Sequence, residues 1–160
     1  MKRQLKWSQL VSVALVLSLS VLTACDKDNP TGGDDVDVGT LRATVNGTAM
    51  DFSSGVSSSE SPLDPAWYMV AGSDPDNSSS IVMNIPGETG SYDFGGQDGP
   101  VMVINVDNLD WVAISGTLNI STSSDSNLAG AFSGTLTDNQ LNTIGVDGGV
   151  FNVEIVQLHQ

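Results

Sequence analysis

From Thr40 to the C-terminus, apolar and polar residues alternate with a period of two, in short runs separated by Gly, Asn, Asp and Ser. Such alternation indicates β-strands that turn one face to a core, and no long stretch of this region has the spacing of an amphipathic helix. Roughly eight or nine runs can be distinguished. We therefore predict an all-β fold, an antiparallel β-sandwich or small barrel of about eight or nine strands.

Turn residues and apolar runs predict where individual turns, loops and strands lie. Asn46-Gly47 predicts a two-residue hairpin turn, because both of its positions need positive φ. The stretch from Ser53 to Pro65 is predicted to be a long polar loop. Val101 to Val106 is almost wholly apolar, which predicts a strand covered on both faces. The residues predicted to face the core are Leu41, Ala43, Val45, Met50, Phe52, Ile81, Met83, Ile85, Leu118, Ile120, Leu128, Phe132, Leu136, Phe151, Val153 and Ile155. In the strand before Ile81, the alternation places Trp67, Met69 and Ala71 together on the apolar side.

Residues 1–24 have a different pattern from the rest of the chain. Lys2, Arg3 and Lys6 precede an apolar stretch from Leu10 to Leu22 that is broken only by serines. A membrane-spanning helix needs about 20 apolar residues, so this stretch is too short to remain as one. Its length and its positive flank are typical of a signal peptide.

The segment Leu22-Thr23-Ala24-Cys25 follows this apolar stretch and resembles the lipobox of bacterial lipoproteins. The resemblance implies that Cys25 receives diacylglycerol and becomes the first residue after cleavage. Cys25 is the only cysteine, so no intramolecular disulfide can use its thiol. Two or three acyl chains give stable membrane attachment. The alternative is an ordinary secretory signal followed by a chance cysteine.

The segment between this cysteine and the alternating region is acidic. Residues 26–39 contain five Asp, three Gly and one Pro. Such a composition buries too little surface to fold, so we expect a flexible spacer. The predicted organisation is a signal peptide at 1–24, a lipidated Cys and acidic tether at 25–39, and a β-sandwich domain at 40–160. The predicted location is the cell envelope, at the outer membrane rather than the inner, with the periplasmic or surface face left open.

The charge balance excludes one class of partner. Only Lys27 and Arg42 follow Cys25, together with all nineteen acidic residues, so this part of the chain has a formal net charge of −17, against −14 for the whole. Proteins bind phosphate backbones by neutralising them with Lys and Arg. We therefore expect no nucleic-acid partner. The expected partners are the membrane, through the lipid anchor, and a protein or a glycan.

Three short motifs of the alternating region extend the resemblance. Val45-Asn46-Gly47, the G-x-F-S-G-T-L motif from Gly130 to Leu136 and the G-x-F-x-V motif from Gly149 to Val153 are similar to those of small bacterial lipoproteins of unknown function. These motifs consist mainly of turn glycines and core phenylalanines. The resemblance implies a membrane-anchored all-β domain, and it implies no catalytic residues.

The sequence lacks the residues and motifs of several enzyme classes, which supports a non-catalytic interpretation. The only histidine, His159, lies one residue from the C-terminus, where chains usually fray. Hydrolase triads need a positioned imidazole, and the sequence has no HExxH, CxxC, Walker or GxGxxG motif. The alternative that remains is a carboxylate-based, carbohydrate-active enzyme, which needs a pair of carboxylates about 5–10 Å apart. Asp51, Asp93 and Glu154 lie in or beside predicted strands, but each is more simply a solvated, outward-facing group.

Two loops could provide oxygen ligands for calcium. Asp74, Asp76 and Asn77 lie in one loop, and Asp107 and Asp110 lie in another. Neither loop matches an EF-hand, and acidic turns are common in an Asp-rich chain. Calcium is the one cofactor the sequence suggests, and a purely structural turn is the competing interpretation.

Three aromatic residues are candidates for ligand stacking. Trp67, Tyr68 and Trp111 could stack on a sugar ring or contact a protein partner. Alternation makes Trp67 and Tyr68 face opposite sides of their strand. Packing in the core is the competing interpretation for each of them.

Replacing Cys25 by Ala tests the predicted anchor. Cells fed radiolabelled palmitate are expected to label the wild-type chain and to leave the Cys25→Ala chain unlabelled, because the thiol that accepts the lipid is missing. The measurement is autoradiography of the immunoprecipitated protein. Persistent label on the variant would contradict the assignment.

Overall fold

The computed structural model describes residues 36–61, 64 and 66–156, which form ten β-strands. The predictions for the signal peptide, Cys25, residues 26–35 of the tether and His159 lie outside the described residues. The predicted all-β fold is confirmed, with ten strands instead of eight or nine. The strands are β1 (Thr40–Val45), β2 (Thr48–Asp51), β3 (Ser54–Glu60), β4 (Trp67–Asp74), β5 (Ser79–Pro86), β6 (Gly90–Phe94), β7 (Val101–Val106), β8 (Leu109–Ser123), β9 (Asn127–Thr137) and β10 (Thr143–Glu154).

All ten strands belong to one antiparallel sheet. Its order is β2-β1-β10-β9-β8-β7-β5-β4-β3, and β6 pairs with the second half of β8. The 15-residue strand β8 is longer than predicted, because its first half pairs with β7 and its second half with β6. The predicted Asn46-Gly47 turn is confirmed, with φ angles of 48° and 81°.

The sheet curls until β3, at one end of the strand order, meets the end of β10 near the other, which gives a nearly closed barrel. An isolated bridge joins Ser58 of β3 to Ile155, just after β10. The Ser58 hydroxyl donates a hydrogen bond to the Glu154 carbonyl (2.8 Å), and the Val156 amide donates one to the Ser58 carbonyl (3.1 Å). We call this contact the seam. It pairs part of the β3 edge, which would otherwise be free to pair with another chain.

One continuous hydrophobic cluster fills the barrel. The residues that the alternation assigned to the core are buried in every strand but β4. There the apolar side formed by Trp67, Met69 and Ala71 faces outward, and Val70 is the residue buried in the core opposite Met83. Phe132 and Phe151 lie at its centre, with ring centroids 6.4 Å apart. Full burial of a large aliphatic or aromatic side chain contributes about 1.5–3 kcal/mol, so this cluster is the main source of stability.

The prediction of a long polar loop from Ser53 to Pro65 is wrong, because β3 occupies most of it. Its serines give no apolar alternation, so the sequence carries no strand signal there. The strand forms through main-chain pairing, with Ser57 opposite Ala71 and Ser59 opposite Met69. Inward-facing Ser58 is 1% exposed, and its hydroxyl is satisfied at the seam.

The prediction that β7 is covered on both faces is also wrong. Met102 and Ile104 are buried, but Val101 is 47% exposed. Residues Ala71, Val82, Val103 and Val112 lie in register across the outer surface of β4, β5, β7 and β8. With Val101 and Ile114, they form what we call the outer aliphatic band. A continuous apolar run therefore marks a strand with one face in the core and one in this band.

The strand directions give the barrel two distinct ends. The connections β1–β2, β4–β5, β7–β8 and β9–β10 lie together at one end, which we call the turn end. The start of β1 and the end of β10 lie at the other, which we call the entry end, because the chain enters the barrel there.

Gly116 is expected to tolerate substitution poorly. It has a φ of 138°, and an added Cβ would lie 2.2 Å from the Ser133 carbonyl oxygen. Gly116→Ala should lower the free energy of unfolding by about 3 kcal/mol, from the positive φ and the clash together. Gly47→Ala is the matched control, because Gly47 has positive φ with open space around it, and should cost about 1 kcal/mol. Urea denaturation measures both, and equal losses would contradict this account.

Candidate functional site

A cavity of about 360 Å³ opens at the turn end of the barrel. We call it the turn-end cavity. Its apolar wall comes from strands that reach this end, and its polar groups come from the turns around its mouth. The lining residues are Val45, Met50, Val106, Leu109, Trp111 and Ile144 on the apolar side, and Asn46, Thr48, Asn77 and Asp107 on the polar side.

The turns at this end of the barrel have left-handed backbone conformations. Among the described residues, every non-glycine residue with positive φ lies in one of them: Asn46, Ser78, Asp107, Asn108 and Leu141. Two-residue hairpin turns such as Asn46-Gly47 and Asp107-Asn108 require this conformation, which Asn and Asp tolerate well, whereas Ser and Leu adopt it at a cost. The cavity itself, with an apolar wall and polar groups at its mouth, makes the turn end the strongest candidate site.

Trp111 supplies the aromatic surface of the cavity. It pairs with Ile104 across β7 and β8, faces inward and packs partly against the core. The ring is half-buried, so part of it remains available to a ligand. Leu109 lies beside it, 48% exposed. An aromatic face with an exposed aliphatic neighbour suits the apolar side of a small ligand.

The other two aromatic candidates lie near the entry end. Tyr68 faces inward opposite Ile85 and packs against the core, whereas Trp67 is on the outward side of β4, opposite Pro86. The two thus face opposite sides, as alternation predicts. The structure does not bring either of them to Trp111, so the three aromatic residues do not form one stacking surface.

The Asp74 carboxylate accepts hydrogen bonds that stabilise the β4–β5 turn. One carboxylate oxygen, Oδ1, accepts hydrogen bonds from the amides of Asp76 and Asn77, both at 3.1 Å. The other, Oδ2, accepts from the Asn77 side-chain amide (2.8 Å) and the Asp51 main-chain amide (2.9 Å). The Asn77 side chain is the largest cause of a lowered pKa at Asp74, main-chain amides contribute, and burial opposes them. This carboxylate fixes the turn that carries Asn77 to the cavity.

Asp138 has the same role in the β9–β10 turn, and the sequence analysis missed it. Its Oδ1 accepts hydrogen bonds from the Gln140 and Asn142 amides, and its Oδ2 accepts from the Asn142 side chain, all at 2.8 Å. The Asn142 side chain is again the largest cause of the lowered pKa. The signal available in the sequence was an Asp with an Asn four residues later, between two strands.

The calcium candidates are divided among three depressions at the turn end. Asp107 lines the turn-end cavity, and Asp110 lines another depression with Asp138. Asp74 and Asp76 line a third depression together with Asp51 and with Asn77, which also reaches the turn-end cavity. Asp110 also accepts a hydrogen bond from the Asn105 side chain at 2.7 Å. In the described part of the chain, no three His, Cys, Asp or Glu side chains are grouped so that they could hold a metal ion. Calcium binding stays a prediction.

No protein-family model, curated protein or solved structure matches the chain. Within residues 36–61, 64 and 66–156, no helix is long and apolar enough to cross a membrane.

Acid should destabilise the fold through Asp74 and Asp138. Both have a folded-state pKa below that of the unfolded chain, so their contribution is complete above the unfolded value of about 3.9 and is lost as pH falls through the folded value. The melting temperature should therefore fall steeply below about pH 4. Thermal unfolding followed by circular dichroism measures it.

Substituting Asp74 and Asp138 one at a time tests whether these two carboxylates cause the loss of stability in acid. Asp74→Asn and Asp138→Asn should each lower the melting temperature at pH 7 by several degrees and weaken its dependence on pH below 4, because the charged acceptor is gone. Asp98→Asn, at an exposed position, is the control and should leave both quantities unchanged. An acid-unfolding curve that is the same for all three variants would contradict the assignment.

Proposed function

We propose that the protein is a lipid-anchored module of the bacterial cell envelope that binds a ligand, without catalysis, in the turn-end cavity. One observation carries the proposal: the β1–β2, β4–β5 and β7–β8 turns surround a cavity at one end of the barrel that combines the Trp111 ring with amide and carboxylate groups. Ligand sites typically have this composition, an apolar wall with a few polar groups that fix orientation.

A glycan is the ligand that suits this chemistry best. One face of a sugar ring presents C–H groups that can stack on Trp111, and its hydroxyl groups can donate to and accept from Asn46, Asn77 and Asp107. The acidic surroundings disfavour anionic sugars. We therefore propose a neutral or amino sugar unit.

The direction of the chain supports presentation of this cavity away from the membrane. Thr40 starts β1 at the entry end, and β1 reaches the turn end at Val45, beside the cavity. Under the proposed lipidation, the tether joins the barrel at the end opposite the cavity. A ligand in the envelope or the medium could then reach the site without approaching the lipid surface.

The lowered pKa values of three carboxyl groups favour a binding role over a catalytic one. A glycoside hydrolase needs a general acid of raised pKa in an apolar environment. Asp51, Asp74 and Asp138 have lowered pKa values; at Asp51 the largest cause is the hydrogen bond with the Ser53 side chain. These groups are charged acceptors that stabilise turns, which supports a non-enzymatic role.

A protein partner is the second candidate. The observation that favours it is the outer aliphatic band, where Val82, Val101, Val112 and Ile114 are each 40–50% exposed. Contiguous exposed apolar surface on a soluble domain often marks a protein contact. Such a partner would bind the side of the barrel and leave the turn-end cavity open.

Binding of neutral trisaccharides tests the glycan proposal. Isothermal titration calorimetry of the full chain in detergent against chitotriose, cellotriose and maltotriose is expected to detect one of them. Trp111→Ala should weaken that binding about tenfold or more, because an aromatic contact contributes up to about 1.5 kcal/mol beyond burial.

Trp67→Ala is the matched control, since Trp67 lies on the outward side of β4 near the other end. It should bind the sugar as tightly as the wild type. If neither variant changes the affinity, the turn-end cavity is not the site. If none of the trisaccharides binds at millimolar concentration, the glycan assignment fails.

A further inference from the structure

The turn-end cavity contains one carboxylate that the fold itself does not use. Asp74 and Asp138 accept hydrogen bonds from turn amides, and Asp110 accepts one from the Asn105 side chain. The Asp107 carboxylate lines the cavity, and it makes no hydrogen bond or ion pair with any residue in the described part of the chain. Asp107 lies in the β7–β8 turn and is exposed. A charged acceptor is therefore free at the cavity.

A second acceptor at the cavity is oriented by the β4–β5 turn. The Asn77 side-chain nitrogen donates a hydrogen bond to Asp74 (2.8 Å), and because a carboxylate can only accept, this bond decides which end of the amide faces Asp74. The other end, the oxygen Oδ1 of Asn77, has no partner within residues 36–61, 64 and 66–156. Asn77 and Asp107 both line the cavity. The two turns thus offer a ligand a carboxylate and an amide oxygen, and each of them needs a donor.

No positive charge beside the cavity balances this carboxylate. Arg42 is the only Lys or Arg among the described residues; it is exposed on β1, opposite Asp51 on one side and Val150 on the other, and does not line the cavity. Protein surroundings with one sign of charge concentrate ions of the opposite sign. The acidic residues in the turns and strand ends at this end of the barrel include Asp74, Asp76, Asp107, Asp110 and Asp138.

We propose that the sugar bound in the turn-end cavity carries a free, protonated amino group, which Asp107 and Asn77 hold. The inference rests on the proposed binding of a glycan in this cavity and narrows the class of sugar. An ammonium group has three donors and no acceptor, which matches a carboxylate and an amide oxygen. Its charge strengthens the bond to Asp107, and the Trp111 ring attracts a cation as well as the C–H face of a sugar.

A comparison of two trimers tests the proposal. The glucosamine trimer is chitotriose without its acetyl groups, so the two ligands differ in charge at the amino group and share the same sugar rings. Isothermal titration calorimetry of the full chain in detergent, at about pH 6 where the amines are protonated, measures both affinities. The glucosamine trimer is expected to bind at least about fivefold more tightly, because an exposed ion pair and an exposed cation–π contact each contribute modestly.

The outcomes separate this inference from the proposed function. Binding of chitotriose, cellotriose or maltotriose without tighter binding of the glucosamine trimer would overturn the inference and leave glycan binding in the cavity in place. Binding of no sugar at all would overturn both. Spermidine has the same number of amino groups as the glucosamine trimer and no sugar ring, and it should bind at least about fivefold more weakly. Equally tight binding of spermidine would mean that charge alone accounts for the attraction, and would overturn the assignment to a sugar.

Variants test whether Asp107 makes the contact. Asp107→Asn removes the charge, and Asn tolerates the positive φ at this position. It should reduce the preference for the glucosamine trimer over chitotriose to about twofold or less. Asp76→Asn is the matched control, because it removes the same charge from the same end of the barrel but outside the cavity, and it should retain the preference. An equal loss in both variants would overturn the contact at Asp107. The melting temperature reports whether each variant is folded.

Discussion

The seam between Ser58 and the end of β10 is the contact on which the rest of the structure depends. A single antiparallel sheet has one apolar face, and it can bury that face only against a second layer or against itself. Here the sheet curls and covers itself, so the core from Leu41 to Ile155 exists only while the ends of the sheet stay together. The seam consists of one hydroxyl and one main-chain hydrogen bond, in place of a regular ladder. It is therefore the weakest part of a barrel that is otherwise continuously paired.

The sequence predicted the fold class and the inward faces because both depend on local information. Alternation places Leu118 and Ile120 in the core whatever their neighbours, and Asn46-Gly47 specifies its own turn. The alternation pattern could not predict β3, because its serines form a strand only through pairing with β4. It also could not distinguish a strand covered on both faces from β7, whose outer side contributes to the aliphatic band. That difference is decided by what lies over the sheet, and no local pattern records it.

The candidate site was predicted only in part, for the same reason. Trp111 was identified from the sequence for stacking, and Asn77 and Asp107 for calcium binding in two separate loops. Only the barrel brings them to one cavity. Trp67 and Tyr68 carried an equal aromatic signal and lie near the other end. Asp138 was missed because its importance lies in the amides that converge on it. Residue type indicates what a side chain can do, and the turns decide which side chains act together.

The opposite positions of the chain entry and the turn-end cavity have a mechanical consequence. A pull between a fixed N-terminus and a ligand held at the turn end would act along the strands. The hydrogen bonds between β1 and β10 would then bear the load in parallel, as in shear, and would not open one after another. A barrel loaded in this direction resists forced opening better than one pulled across its strands. If the proposed anchor and the proposed ligand are both present, tension between them would therefore act on the domain in its stronger direction.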